Sequence, residues 1–484
     1  MEWTRKARYT ALDATTQPQF AALCAQAANS VWRQGFHVQP LAGLLNDPNG
    51  FCWHRGAFHL FYQWFPLGPV HGLKYWYHVS TADFVHYRQH GIAIAPDSVA
   101  DSHGAYSGSA LSTDAGLRIA YTGNHRTADW QRIPYQIMAT LPDHGALSKD
   151  APFLQGPPAG YTEHVRDPKI WREADGSYAM VLGAQRDNHT GAALYLTSVD
   201  TREWQLQGEI DCALPDFGYM WECPDYFALN GQDVLLFCPQ GLPAQDGRFA
   251  NIFQSGYIAG RFDRHTRRFT HGGFFELDHG FDFYAPQTCT GEQGERVLIG
   301  WMGLPDMSCP SDRDGWAHCL TVPRVLTWEN AALRQRPWPG LQALRGEGAH
   351  DGVHFELLLN NPESEPFSLT LRQSAQEETR LYYDGTALVL DRSRSGFLPE
   401  PEIAAPGKGG HVRRLSLAKL TQLHVFSDTS SLEIFINDGE AVMSARIFPA
   451  TAADALETAI GSQAILTLYP LKEAIWRSMP LAKP

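Results

Sequence analysis

The sequence predicts an all-β protein: a β-propeller, then a β-sandwich, with a short helical N-terminal extension in front. Three observations carry this. From Gly35 onward, short runs rich in aromatic and β-branched residues alternate with Gly, Pro, Asn and Asp, a pattern that fits a sandwich, a barrel or a propeller. An internal repeat favours the propeller for the first part. Ser80, Asp83, Tyr87 and Gly91 recur with the same offsets as Thr197, Asp200, Trp204 and Gly208, and a looser copy runs through Asp263, Phe269 and Gly272. Last, the chain changes character after residues 334–351, whose Pro337, Pro339, Gly340, Gly346 and Gly348 read as a linker.

Taken in order, residues 1–34 form the extension, where Phe20, Leu23, Cys24 and Ala27 fall at helical spacing over 11–34 and suggest an appendage. Residues 35–335 form the propeller, with strands expected at 57–65, 75–80, 117–122, 177–184, 192–198, 234–239 and 297–302. Residues 350–484 form the sandwich, with apolar runs at 353–359, 367–371, 387–390, 423–426 and 432–436, the last turning through Asn437-Asp438-Gly439 into 441–448. The sandwich lacks an acidic cluster of its own, so a structural or accessory role is expected of it.

At 484 residues the chain exceeds one ordinary core. Hydrophobic residues at 44% against 19% charged ones exclude a disordered chain. The net charge of −13, without a Lys/Arg-rich run, excludes a nucleic-acid partner. There is no apolar run long enough for a membrane span and no apolar leader after Met1, which predicts a soluble, cytoplasmic protein; a homo-oligomer is compatible with the sequence. Eight scattered cysteines without a C-x-x-C pair read as reduced core residues, and Cys223 lacks the His signature of a nucleophile.

Three proline-flanked acids stand in order along the propeller: Asn46-Asp47-Pro48-Asn49-Gly50, Arg166-Asp167-Pro168-Lys169 and Trp221-Glu222-Cys223-Pro224-Asp225. Carboxylates gathered in a concave site are the equipment for breaking a glycosidic bond. Pro48 pushes Asp47 toward extended backbone and Asn49-Gly50 reads as a hairpin turn, so Asp47 is expected at a strand end. Glu222 follows the apolar Tyr219-Met220-Trp221, surroundings that would raise a carboxyl pKa and suit a proton donor. Asp167 stands beside its own cation, Arg166.

Together these motifs resemble the three signatures of glycoside hydrolase family 32, the invertases and other β-fructofuranosidases. Tyr106-Ser107-Gly108-Ser109-Ala110, Asp282-Phe283-Tyr284-Ala285-Pro286-Gln287, Gly300-Trp301-Met302 and Leu432-Glu433-Ile434-Phe435-Ile436-Asn437-Asp438-Gly439 extend the likeness from about Phe36 onward. The resemblance implies five blades, acids converging on a central funnel and a sugar as partner; no metal or organic cofactor is expected, since the carboxylates suffice and the sequence shows no ligand cluster. It implies a retaining double displacement in which Asp47 attacks the fructosyl carbon, Glu222 is the acid and base, and Asp167 stabilises the transition state. Asn46, Gln63, Ser107 and Arg166 would hold the fructosyl ring, with Arg166 also orienting Asp167, while Tyr106 and Trp301 shape the pocket. Where many secreted invertases resemble Met-His-Trp-Gly-His, this chain has Val70-His71-Gly72-Leu73-Lys74-Tyr75-Trp76-Tyr77-His78. That stretch resembles the sucrose-6-phosphate hydrolase branch, and it offers Lys74, with His71 nearby, to a glucosyl phosphate. The alternatives are an invertase or fructan hydrolase acting on unphosphorylated sugars, and a fructoside-binding lectin without activity.

Overall fold

The computed structural model describes residues 3–478 apart from Asp246; the ends of the ranges 1–34 and 350–484 that pass these limits lie outside the described residues. Five antiparallel sheets follow one another along the chain, beginning with the strands Gly43–His54, Ala105–Thr113, Tyr161–Arg172, Met220–Leu229 and Tyr284–Thr290. Each of these first strands packs against the first strands of the two neighbouring sheets, and the fifth returns to the first, so they close a ring of five blades. Flanked by blades on both sides, the first strand of the first blade is buried along nearly its whole length. Outer strands such as His86–Ile94 alternate exposed and covered residues.

The ring is lashed together at its seam. Trp316–Ala317, from the fifth-blade segment, pairs in parallel with Gly43 and Leu44 of the first blade. On the outside of that blade, Ile475–Ser478 pairs in parallel with His86 to Gln89. The division at 350 gave these residues to the sandwich; they complete a propeller sheet instead. The supposed linker also differs from expectation. Ala332–Pro337 is the outer strand of the fifth blade and Pro339–Leu344 is a 3-10 turn, because the prolines lie where hydrogen bonds are not needed.

The repeat marks one place in the blade architecture. Asp83, Asp200 and Asp263 each begin the turn between the third and fourth strands of their blades. Each side chain accepts the backbone N–H groups two and three residues on. A turn that caps itself this way constrains sequence locally, which is why it shows through when the rest of the blade does not.

The sandwich stacks two five-stranded sheets, one carrying Phe355–Asn360 and Ser431–Ile436, the other Phe367–Gln373 and Ala387–Arg394. Its core includes Leu357, Leu369, Leu381, Leu390, Val425 and Ile434. The Asn437-Asp438-Gly439 turn has positive φ at all three residues, as the sequence predicts. In the extension, Gln17–Ala28 is the expected helix, and Arg5–Arg8 adds a turn that the sequence reading overlooked. No helix among the described residues is long and apolar enough to cross a membrane.

Candidate active site

The chemistry gathers where the five first strands converge, and one device recurs in all of them. Every first strand carries one residue more than its neighbour over the same span: between Leu45 and Pro48, Ala105 and Gly108, Arg166 and Lys169, Glu222 and Asp225, and Tyr284 and Gln287. An unpaired residue bends the strand and re-aims its side chains. Three bulges reach positive φ at non-glycine residues, Asp167 at 67°, Cys223 at 47° and Ala285 at 46°. Pro48, Pro168, Pro224 and Pro286 stand at or beside bulges, where a missing N–H breaks no ladder bond. The hairpin expected at Asn49-Gly50 is therefore corrected: both residues lie within the strand Gly43–His54, at a second irregularity between Asn49 and Cys52.

The bulges bring Asp47, Asp167 and Glu222 to the wall of one cavity of about 370 Å³. Asp47 is held by donors. Asn46 Nδ2 reaches its Oδ1 at 3.1 Å, Gln63 Nε2 its Oδ2 at 3.2 Å, and the Ser107 hydroxyl bonds the same Oδ2 closely. Gln63 also donates to Ser107, and Asn46 to Gln63 at 3.2 Å, so the predicted ring contacts form one network around the carboxylate. Lys74 is buried here, its Nζ donating to Asn46 Oδ1 at 2.6 Å, on the Asp47 side of the cavity. Burial, with the charge of Glu222, raises the Asp47 pKa against the pull of Ser107. Burial also draws Lys74 down to about 7, with the Asp47 charge opposing, and leaves His71, beside Trp301, a neutral imidazole.

Glu222 lives in a different setting from the apolar one expected. Trp221 turns away and stacks on Phe237, and Tyr219 is exposed. The carboxylate accepts from Arg166 Nη2 at 2.7 Å and Nε at 3.0 Å on one oxygen, and from Gln240 Nε2 at 2.7 Å and the Tyr284 hydroxyl at 2.8 Å on the other. Arg166 thus serves Glu222 first; its Nε stands 3.9 Å from Asp167. Asp167 accepts the Cys223 N–H at 3.0 Å, while its own N–H donates to Thr122 Oγ1 at 3.0 Å. Burial, then the charges of Glu222 and Asp47, push its pKa up to about 7 against the pull of Arg166. The Cys223 thiol, 3.5 Å from Asp47 Oδ2, is pushed well up by burial and by these carboxylates; it is a weak donor, not a nucleophile.

Tyr106 and Trp301 also line the cavity. Tyr106 has its hydroxyl bonded by Asn124 Nδ2 at 3.2 Å and the Arg132 guanidinium 5.8 Å from its ring centre. Trp301 lies edge-on to Tyr284 and His71. Several wall residues escaped the sequence reading. Tyr284 lay inside a quoted motif without a role, Gln240 has no local signal, Arg132 and His164 sit in ordinary strand-edge sequence, and Tyr9 belongs to the segment set aside as an appendage. That segment is no appendage: Arg8 bonds the His71 carbonyl, its own carbonyl accepts the Leu73 N–H, and Tyr9 forms part of the cavity wall. Among the described residues no group of three or more His, Cys, Asp or Glu side chains is arranged to hold a metal ion.

The chain is similar to known proteins along nearly its whole length. Residues 37–337 match the model of the glycosyl hydrolases family 32 N-terminal domain and 326–465 that of the family 32 C-terminal region. A sucrose-6-phosphate hydrolase of Staphylococcus xylosus is 46% identical, covering 97% of this chain and 99% of that protein. The structure of sucrose-6-phosphate hydrolase from Lactobacillus gasseri superposes with a TM-score of 0.92 at 34% identity, covering 98% of this chain and all of that one. A Bombyx mori β-fructofuranosidase variant in complex with sucrose superposes at 0.81 with 30% identity, covering 96% and 100%.

Proposed function

The chain belongs to glycosyl hydrolase family 32, and we propose that Asp47, Asp167 and Glu222 are the acids with which it cleaves β-fructofuranosides. It is a retaining β-fructofuranosidase of the sucrose-6-phosphate hydrolase type, releasing fructose and glucose 6-phosphate from sucrose 6-phosphate, or glucose from sucrose. The observation that supports the three assignments is the convergence of these acids, from three different blades, on one cavity.

In the first step Asp47 attacks the anomeric carbon of the fructosyl unit while Glu222 passes its proton to the departing glucosyl oxygen, leaving a fructosyl ester on Asp47. In the second, Glu222 takes a proton from water, the water oxygen attacks the same carbon, and Asp47 departs, so that two inversions retain configuration. The Asn46, Gln63 and Ser107 donors favour the ionised Asp47 that attack needs. The Tyr284 hydroxyl can turn from donating to accepting, so it serves Glu222 whether ionised or protonated. Asp167 is placed to bond fructose hydroxyls as positive charge develops on the ring. A phosphorylated disaccharide is an intracellular compound, which supports a soluble, cytoplasmic location.

Asp47→Ala is expected to abolish turnover of both sugars. Glu222→Gln is expected to lose least on fructosides with activated leaving groups, because those need little protonation. Substantial sucrose hydrolysis by Asp47→Ala would overturn the assignment, as would equal losses of Glu222→Gln on activated and natural substrates.

A further inference from the structure

A half-buried cation faces the substrate cavity with no carboxylate partner among the described residues. From Glu222 outward runs a chain of contacts: Arg166 bonds Glu222, His164 Nδ1 accepts from Arg166 Nη1 at 3.0 Å, and the same nitrogen accepts from Arg132 Nη1 at 3.1 Å. A guanidinium can only donate, so His164 Nδ1 must be the bare nitrogen of a neutral ring. Burial and the two guanidiniums agree, drawing the imidazole down to about 4. One acceptor thus holds two arginines close together. Arg166 has its carboxylates, but Arg132 has no ion pair among the described residues, and its Nε is buried without a hydrogen-bond partner. Burial, with the charges of Arg166 and Arg126, pulls Arg132 below its ordinary value. A charge partly withdrawn from water and left uncompensated costs free energy, and a protein of net charge −13 has carboxylates to spare. Leaving this fork unpaired suits a site whose anion arrives with the ligand.

The position selects the anion. Asp47, with Asn46 and Lys74, marks the fructosyl end of the cavity. Glu222 protonates the leaving oxygen, so the glucosyl unit lies beside Glu222, and the contacts through Arg166 and His164 lead from that carboxylate to Arg132, which lines the same cavity with Tyr9. We infer that Arg132, backed by His164 and Tyr9, receives the 6-phosphate of the glucosyl unit, and that Lys74 serves the fructosyl end. A guanidinium fork matches two phosphate oxygens at once, and the Tyr9 hydroxyl supplies a further donor. Arg132 is then a specificity-determining residue, contributed by the second blade at the point where the N-terminal segment closes over it.

The inference rests on the sucrose 6-phosphate reading above, and one set of kinetics separates the two. The ratio of kcat/KM for sucrose 6-phosphate to that for sucrose is measured for wild type, Arg132→Gln, Arg132→Lys and Lys74→Met. Expected is a ratio well above one in wild type and at least tenfold lower in Arg132→Gln, the change residing in KM for the phosphorylated sugar. Arg132→Lys, keeping charge without the fork, recovers part of it. Competitive inhibition by glucose 6-phosphate weakens in parallel in Arg132→Gln, while inhibition by glucose moves less than twofold. A wild type without preference overturns both readings. A wild-type preference that Arg132→Gln keeps within twofold, or that falls only in Lys74→Met, overturns the Arg132 assignment alone.

Discussion

At the scale of single residues, the three acids differ in what each carboxylate touches. Asp47 is half-buried among neutral donors, Asp167 has a backbone N–H and two neighbouring carboxylates, and Glu222 has an arginine, an amide and a phenol. Ser107 is the donor that pulls hardest against the upward push on Asp47. Ser107→Ala is therefore expected to raise the Asp47 pKa further, moving the acid limb of the kcat/KM profile to higher pH; a pH–rate profile that leaves this limb in place contradicts that role. The acids themselves were legible in sequence because each sits in a rigid, proline-flanked motif. Their surroundings were not. The expectation for Glu222 used its chain neighbours, but side chains alternate across a strand. The groups that reach its carboxylate come from Arg166, Gln240 and Tyr284, far away in sequence.

At the scale of the element, the five bulges decide what the inner strands present to the cavity. The sequence signals were sound and their interpretation was partly mistaken: Asp-Pro-Asn-Gly reads as a turn because turns and bulges draw on the same residues, those tolerant of positive φ or of a missing N–H. Ala285 tests the device. It is buried, its φ is 46°, and a β-branched side chain is poorly accommodated there. Ala285→Val is expected to destabilise the protein by about 2 kcal/mol or more. It should also displace Tyr284, so that thermal midpoint and kcat fall together. Unchanged melting would show the bulge to be unstrained.

At the scale of the whole molecule, propeller and sandwich are joined by buried charge. His37 bonds Asp428 at 2.7 Å and Glu433 at 3.0 Å, and Arg324 bonds Glu433 at 2.9 Å and Asp278 at 3.1 Å, all in the interior. Burial opposes a charge on His37, but the two carboxylates prevail and push its pKa up to about 10. Because that lies above the ordinary value near 6.5, the stability His37 contributes is complete below about pH 6.5 and is lost as pH climbs toward 10. Asp428 is held low by His37 despite its burial, so its contribution is present at neutral pH and is lost in acid. His37→Ala should destabilise the fold by about 3–5 kcal/mol at pH 7 by stranding the buried carboxylate of Asp428, while Glu433 keeps Arg324. Melting curves at pH 7 and pH 10 should show the gap from wild type narrowing at the higher pH. The motifs around Asp282 and Glu433, quoted for their family likeness, lie largely in this joint: Asp282 pairs with Arg392 at 2.5 Å. The seam of the first blade bears on biosynthesis. Its outer strand, His86–Ile94, acquires its partner only when Ile475–Ser478 is made, about 380 residues later. At roughly 5–20 residues per second that is a wait of roughly 20–75 s. During it the nascent first blade offers an open sheet edge, a template on which another chain can pair.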